Sequence, residues 1–169
     1  MGHLPTVRGF VRALPVVAVL WAVLVVASPW LAAMPAVGGD YLSASAYAFG
    51  ALVCHQRPDR SFHVAGVQLP VCARCTGLYL SAAIGVVFAC ARRRSSPAVW
   101  FAWWRTCLVW AALPTAATLL LEWWRPAATS GALRAAAAVP LGAVAGALLA
   151  DAIGFRGKLH RCERTRQGV

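Results

Sequence analysis

Between Arg12 and Asp40 the chain carries no charged side chain, and Val16 to Leu31 is an almost unbroken run of Val, Ala, Leu and Trp. Such a run satisfies its backbone polar groups best as an α-helix crossing about 30 Å of hydrocarbon. The remainder repeats the pattern: 60% of residues are apolar, only 12% are charged and the mean hydropathy is +0.66. A soluble domain of ordinary make-up has about 25% charged residues and is excluded. The net charge of +11 is broken up by neutral apolar stretches, which fits a polytopic membrane protein rather than a nucleic-acid binder.

Four spans are expected, over about 14–36, 72–91, 104–124 and 135–153. The first is read as an uncleaved helix, because its apolar run exceeds a signal-peptide core of about 7 to 15 residues; Pro29 and Pro35 are expected to bend or end it. The second opens on Pro70, a residue suited to the first turn of a helix, and carries Gly77, Ser81 and Gly85 four apart. The third is framed by Trp100, Trp103 and Trp104 at one end and Trp123 and Trp124 at the other. From Trp104 to Trp123 a helix rises about 28 Å, so both aromatic belts reach an interface. Pro114 is expected to kink it. The fourth carries Gly142, Gly146 and Ala150. Small residues at that spacing let helices approach closely, implying a compact all-α bundle of one membrane domain, or a homo-oligomer contact.

Of 16 Lys and Arg residues, 11 fall on one side if the spans alternate: Arg8, Arg12, Arg92, Arg93, Arg94, Arg105, Arg156, Lys158, Arg161, Arg164 and Arg166. The positive-inside rule then places both termini in the cytoplasm and the loop 38–71 outside the plasma (inner) membrane. Tyr41 to Val53 is uncharged but too short to cross, and is expected to be a re-entrant or interfacial helix. Counting it as a span would reverse the charge asymmetry. The basic tail 156–169, with His160 and Cys162, reads as a solvated end near anionic lipid.

Cys54, His55, Cys72 and Cys75 crowd into the outer region, with His63 between. A CxxC at a helix start puts two sulfurs on one face where the helix N-terminus favours thiolates. Two chemistries suit it. One is metal binding, most naturally zinc, by Cys54, Cys72, Cys75 and His55, with His63 in reserve; an odd number of outer cysteines favours it. The other is thiol–disulfide exchange, with Cys72 and Cys75 as the pair and Cys54 as relay. A non-catalytic scaffold with a structural disulfide is the third reading. Cys90 and Cys107 are expected to be small buried residues within spans.

Arg57, Asp59, Arg60 and Arg74 surround the cysteines, and Glu122, Arg125 and Arg134 bring charge to the same face. Charge at the margin of hydrocarbon is costly unless paired, so Glu122 is expected to pair with Arg74 or Arg134. Glu122, Arg60, Arg74 and Arg134 are also the candidate catalytic residues, with Glu122 as acid or base and the arginines as a site for an anionic lipid or small anionic ligand. Asp151 is expected to be solvated or paired with Arg156. No Walker, GxGxxG, HExxH or GxSxG motif is present, so several large enzyme classes lose their usual signature.

The string Cys54-His55-Gln56-Arg57-Pro58-Asp59-Arg60-Ser61-Phe62, followed by Pro70-Val71-Cys72-Ala73-Arg74-Cys75-Thr76-Gly77, resembles the signature of a family of predicted membrane proteins known as domain of unknown function 2085. The resemblance runs from about Tyr41 to the end of span four. It points to Cys54, His55, Pro58, Arg60, Ser61, Cys72, Arg74, Cys75, Thr76 and Gly77, and leaves out His63. Many members carry an Asp-Gly pair and a Gln in the third span, followed by Arg and Gly in the fourth. Here the third span departs from that pattern and has Glu122 instead, while Arg134 and Gly142 or Gly146 match the later part. The resemblance implies a membrane fold and a Cys/His site, and supplies no activity.

Overall fold

The computed structural model describes residues 7–33, 38–91, 98–125 and 129–167, with side chains described over 13–33, 38–91, 103–125 and 129–153. Helix α1 (Val7–Ala33) is followed by α2 (Gly39–Val53), a 3-10 turn (Pro58–Arg60), strands β1 (Ser61–Val64) and β2 (Val67–Cys72), and helices α3 (Ala73–Ala91), α4 (Ala98–Trp124) and α5 (Gly131–Gln167). Four helical segments are long and apolar enough to cross a membrane: Ala13–Ala33, Ala73–Ala91, Trp103–Trp124 and Gly131–Ile153. They coincide closely with the four expected spans. Pro29 does not end α1, which continues to Ala33, and α4 runs on through Pro114. Pro35 lies outside the described residues.

The bundle is apolar outside and small or polar inside. Leu20, Ile84, Val109, Trp110 and Leu120 are exposed, whereas Ser28, Ser81, Thr118, Glu122 and Arg134 are buried. That inversion is what a lipid solvent selects, since lipid tails offer large apolar side chains no reason to hide. The two small-residue stripes meet each other. A Cβ added to Gly77 would strike the Ala135 carbonyl, one on Gly85 the Ala143 carbonyl, and one on Gly146 the Ala82 carbonyl. Gly142 in turn lies against Ser81 Oγ and the Leu78 carbonyl. α3 and α5 therefore touch backbone to backbone, forming the most extensive contact in the bundle. Cys90 departs from expectation: it is exposed on the last turn of α3. Helical spacing carries it to the side of α3 away from the Gly77, Ser81 and Gly85 stripe. Cys107 is half-buried.

The segment between the first two spans holds more structure than a loop. α2 occupies the expected short helix, and an antiparallel hairpin follows with Val64 opposite Val67 and His63 opposite Gln68. Ala65 (φ 51°) and Gly66 (φ 80°) both take left-handed conformations at its tip, as a tight two-residue hairpin turn requires. Pro70, expected in the first turn of a helix, instead lies in β2. Its missing N–H is tolerated because the ladder shifts register between the His63–Gln68 and Ser61–Cys72 pairs. Leu69 and Val71 pack with Val25 of α1 and with Cys54, flanked by Trp21, Phe62 and Tyr79. Trp21 meets Tyr79 edge-on at 5.9 Å and Phe49 at 5.0 Å. The hairpin is thereby seated on the end of the bundle.

Candidate metal centre

Three elements converge at that seat. Cys54 follows the last residue of α2, and its N–H donates to the Gly50 carbonyl at 2.8 Å. Cys72 ends β2 immediately before α3, and Cys75 lies in the first turn of α3. The sulfurs of Cys54, Cys72 and Cys75 all lie within 4.8 Å of one another. The Cys72 N–H donates to Cys54 Sγ at 3.2 Å. Cys54 is buried; Cys72 and Cys75 are half-buried.

The Cys72 thiol is lowered to about 5, chiefly by a hydrogen bond from the Cys75 thiol. Burial opposes the shift, while the backbone N–H groups of Cys75 and Arg74 and the Cys54 side chain reinforce it. Cys72 therefore stands at the N-terminus of α3 as a thiolate near neutral pH.

A polar clamp holds the three cysteines in register. Gln56, left-handed at φ 46°, donates through its side-chain amide to the carbonyls of Tyr47 at 2.8 Å and Pro70 at 2.7 Å. Gln68 returns the contact, donating to the Gln56 carbonyl at 2.7 Å and to Ser61 Oγ at 3.2 Å. The Tyr47 hydroxyl donates to the Gln68 carbonyl. Gly50 makes room for this arrangement, since a Cβ there would meet the Pro70 carbonyl and lie 2.8 Å from Gln56 Nε2. The end of α2 is thus fastened to β2, and Cys54 is carried to Cys72.

His55 is exposed and does not join the sulfur cluster; His63 is exposed on β1. The structure gathers three of the four expected ligands and turns the imidazole outward. A chain following the buried Cys54 side chain directs its next side chain away, which is the physical reason. The clamp residues Tyr47, Gly50, Gln56 and Gln68 were not foreseen as site residues. Gln56 stands inside the Cys54–Phe62 string, so a signal was present for it.

Beside the cysteines lies a charge cluster built on Arg74, the residue between Cys72 and Cys75. Glu122 of α4 is buried, and Oε1 accepts from Arg74 Nη2 at 2.8 Å, Arg134 Nε at 3.0 Å and Thr129 Oγ1 at 2.9 Å. Oε2 accepts from Arg60 Nη1 at 3.5 Å. Glu122 pairs with both partners expected from the sequence and with Arg60 as well. The carboxylate locks the 3-10 turn, α3, α4 and the start of α5 together. Arg156, His160 and Cys162 have side chains outside the described residues.

Residues 54–148 match the family described as predicted membrane protein (DUF2085), beginning at Cys54 rather than Tyr41. The chain is 43% identical over 47 residues to an uncharacterized protein of Methanocaldococcus jannaschii, covering 28% of this chain and 30% of that one. It is 53% identical over 30 residues to an uncharacterized protein of Methanothermobacter thermautotrophicus, covering 18% of this chain and 27% of that one. The matches thus span less than a third of either relative. No solved structure matches. A match extending over more than half of the chain, on the residues that build the sulfur cluster and the helices beneath it, makes this chain a member of the DUF2085 family of predicted membrane proteins.

Proposed function

We propose that Cys54, Cys72 and Cys75 bind zinc as thiolates at the outer face of the membrane, with both termini cytoplasmic. The observation that carries this reading is the convergence of three sulfurs from three separate elements within 4.8 Å. Tetrahedral zinc with Zn–S bonds of about 2.3 Å sets sulfurs about 3.8 Å apart. Drawing the cluster in by about 1 Å at most meets that requirement. The donor set fits: thiolate is favoured at Cys72, a backbone N–H already serves Cys54 Sγ, and an apolar shell limits competing water. With His55 turned outward, the fourth position falls to water or an exogenous ligand, the arrangement of a catalytic rather than a purely structural zinc.

Cobalt substitution tests the reading. Sulfur-to-cobalt charge transfer with the intense visible bands of a tetrahedral site is expected, and both are lost in Cys54→Ser. An octahedral, oxygen-ligated spectrum would contradict it. Topology is tested with a membrane-impermeant thiol reagent on metal-stripped cells: labelling of Cys54, Cys72 or Cys75 with Cys162 protected is expected, and the reverse pattern would invert the orientation.

The lowered Cys72 thiol favours one alternative, a thiol–disulfide oxidoreductase. There the Cys72 thiolate attacks a partner's disulfide, Cys75 resolves the mixed disulfide, and the partner leaves as a dithiol with Cys72 and Cys75 joined as a disulfide; Cys54 exchanges into that bond, and a second partner's dithiol, itself oxidised to a disulfide, returns the two electrons that regenerate the thiols. Cys75→Ser then traps a mixed disulfide, which the zinc reading does not produce.

A further inference from the structure

Glu122 is surrounded by more positive charge than it can neutralise. Arg60, Arg74 and Arg134 all reach its one carboxylate, leaving two positive charges in excess. Asp59 contributes little: it is exposed, is shared with Arg57 at 3.5 Å, and lies 3.6 Å from Arg60 Nε. A tie between helices needs a single arginine. Each additional guanidinium brought to the edge of hydrocarbon adds desolvation without a counter-charge.

The donors are also incompletely used. Each guanidinium offers five N–H bonds, yet Arg74 Nε is shut away from solvent with no hydrogen-bond partner, and Arg60 Nε, equally shut away, has only the Asp59 carboxylate at 3.6 Å, beyond hydrogen-bond reach. Charged donors in that condition are costly and are matched by an acceptor that a ligand brings. Arg134 is buried, at 6% exposed, whereas the Arg60 side chain, 33% exposed, can be reached from solvent.

Depth in the membrane points the same way. Trp123 and Trp124, next to Glu122, are 85% and 84% exposed, as residues of an interfacial aromatic belt are. Lipid phosphates lie at that level.

We propose that Arg60, Arg74 and Arg134 form a binding site for a phosphate oxyanion, with Glu122 and Thr129 holding the guanidiniums in place. The planar, forked donors of arginine match phosphate oxygens two at a time, and a dianion brings the cluster to neutrality. The ligand is a free phosphate or the headgroup phosphate of an anionic lipid. The inference is independent of the zinc reading, because it uses none of the three sulfurs.

The test uses the full chain in lipid nanodiscs, at constant ionic strength maintained with chloride. One arm titrates inorganic phosphate into neutral-lipid discs; the other replaces neutral lipid stepwise with phosphatidic acid. Thermal unfolding and zinc content are followed in both. A saturable rise in melting temperature is expected in one arm, and that arm names the source. Arg60→Gln should weaken the apparent affinity about tenfold, from loss of one charge-assisted contact, while Arg60→Lys should restore part of it and zinc content should be unchanged. Should Arg60→Gln fail to fold, protection of Arg60 from phenylglyoxal by phosphate or phosphatidic acid in the unaltered protein reads the same contact. No saturable response in either arm would overturn the proposal, as would binding that Arg60→Gln leaves intact or ligand that fails to protect Arg60. Loss of zinc alone would count against the metal centre and not against this site.

Discussion

Gln56 donates to the Pro70 carbonyl at 2.7 Å while its own backbone carbonyl accepts from Gln68 at 2.7 Å. This reciprocal contact sets the distance between the end of α2 and β2, and so between Cys54 and Cys72. The sulfur cluster depends on an amide clamp as much as on its cysteines.

Gln56→Ala leaves the Tyr47 and Pro70 carbonyls without their donor. A loss of about 1 to 3 kcal/mol in stability is expected, with weaker metal retention because Cys54 is no longer held to Cys72. Thermal unfolding in detergent, measured with and without zinc, checks both. An unchanged melting temperature would mean the clamp is incidental.

Glu122→Gln removes the carboxylate that Arg60, Arg74 and the buried Arg134 share. Leaving buried guanidiniums unpaired is expected to cost about 3 to 5 kcal/mol. Arg60→Gln should cost no more than about 1 kcal/mol, since its contact is longer and partly solvated. Equal melting temperatures for the two variants would contradict this ranking.

In the metal-free protein, the lowered Cys72 thiol fixes the sign of a pH dependence. With the folded value near 5 and the unfolded thiol near 8.5, the unfolded chain binds the extra proton between those limits. Stability from this group is fully present above the unfolded value and is lost as pH falls through about 5. Alkylation of Cys72 by iodoacetamide, followed by peptide mass spectrometry, should persist down to about pH 5. A midpoint near 8.5 would show an ordinary thiol.

The spans were legible because hydropathy and length are decided by the bilayer alone: a charge-free run such as Val16 to Leu31 has no other stable home. The Gly77, Ser81, Gly85 and Gly142, Gly146 stripes were legible for a related reason, since four-residue spacing defines a helix face before any partner is known. The hairpin was not, because Ala65-Gly66 is a weak turn signal beside Asn-Gly, and Pro70 before a helical run reads as a first-turn proline. The Arg60 contact to Glu122 joins residues far apart in sequence, which no local pattern encodes. Gln56 was overlooked because a neutral amide has no charge or ligand chemistry to draw attention; its role follows from the left-handed backbone that aims it between two strands of chain.

The most direct test of the central claim is elemental analysis of the purified protein together with a free-thiol count. About one zinc per chain is expected, lost in Cys72→Ser and retained in His55→Ala, with three further thiols becoming reactive after chelation. A chain without metal, with two of Cys54, Cys72 and Cys75 already joined as a disulfide, would contradict the account.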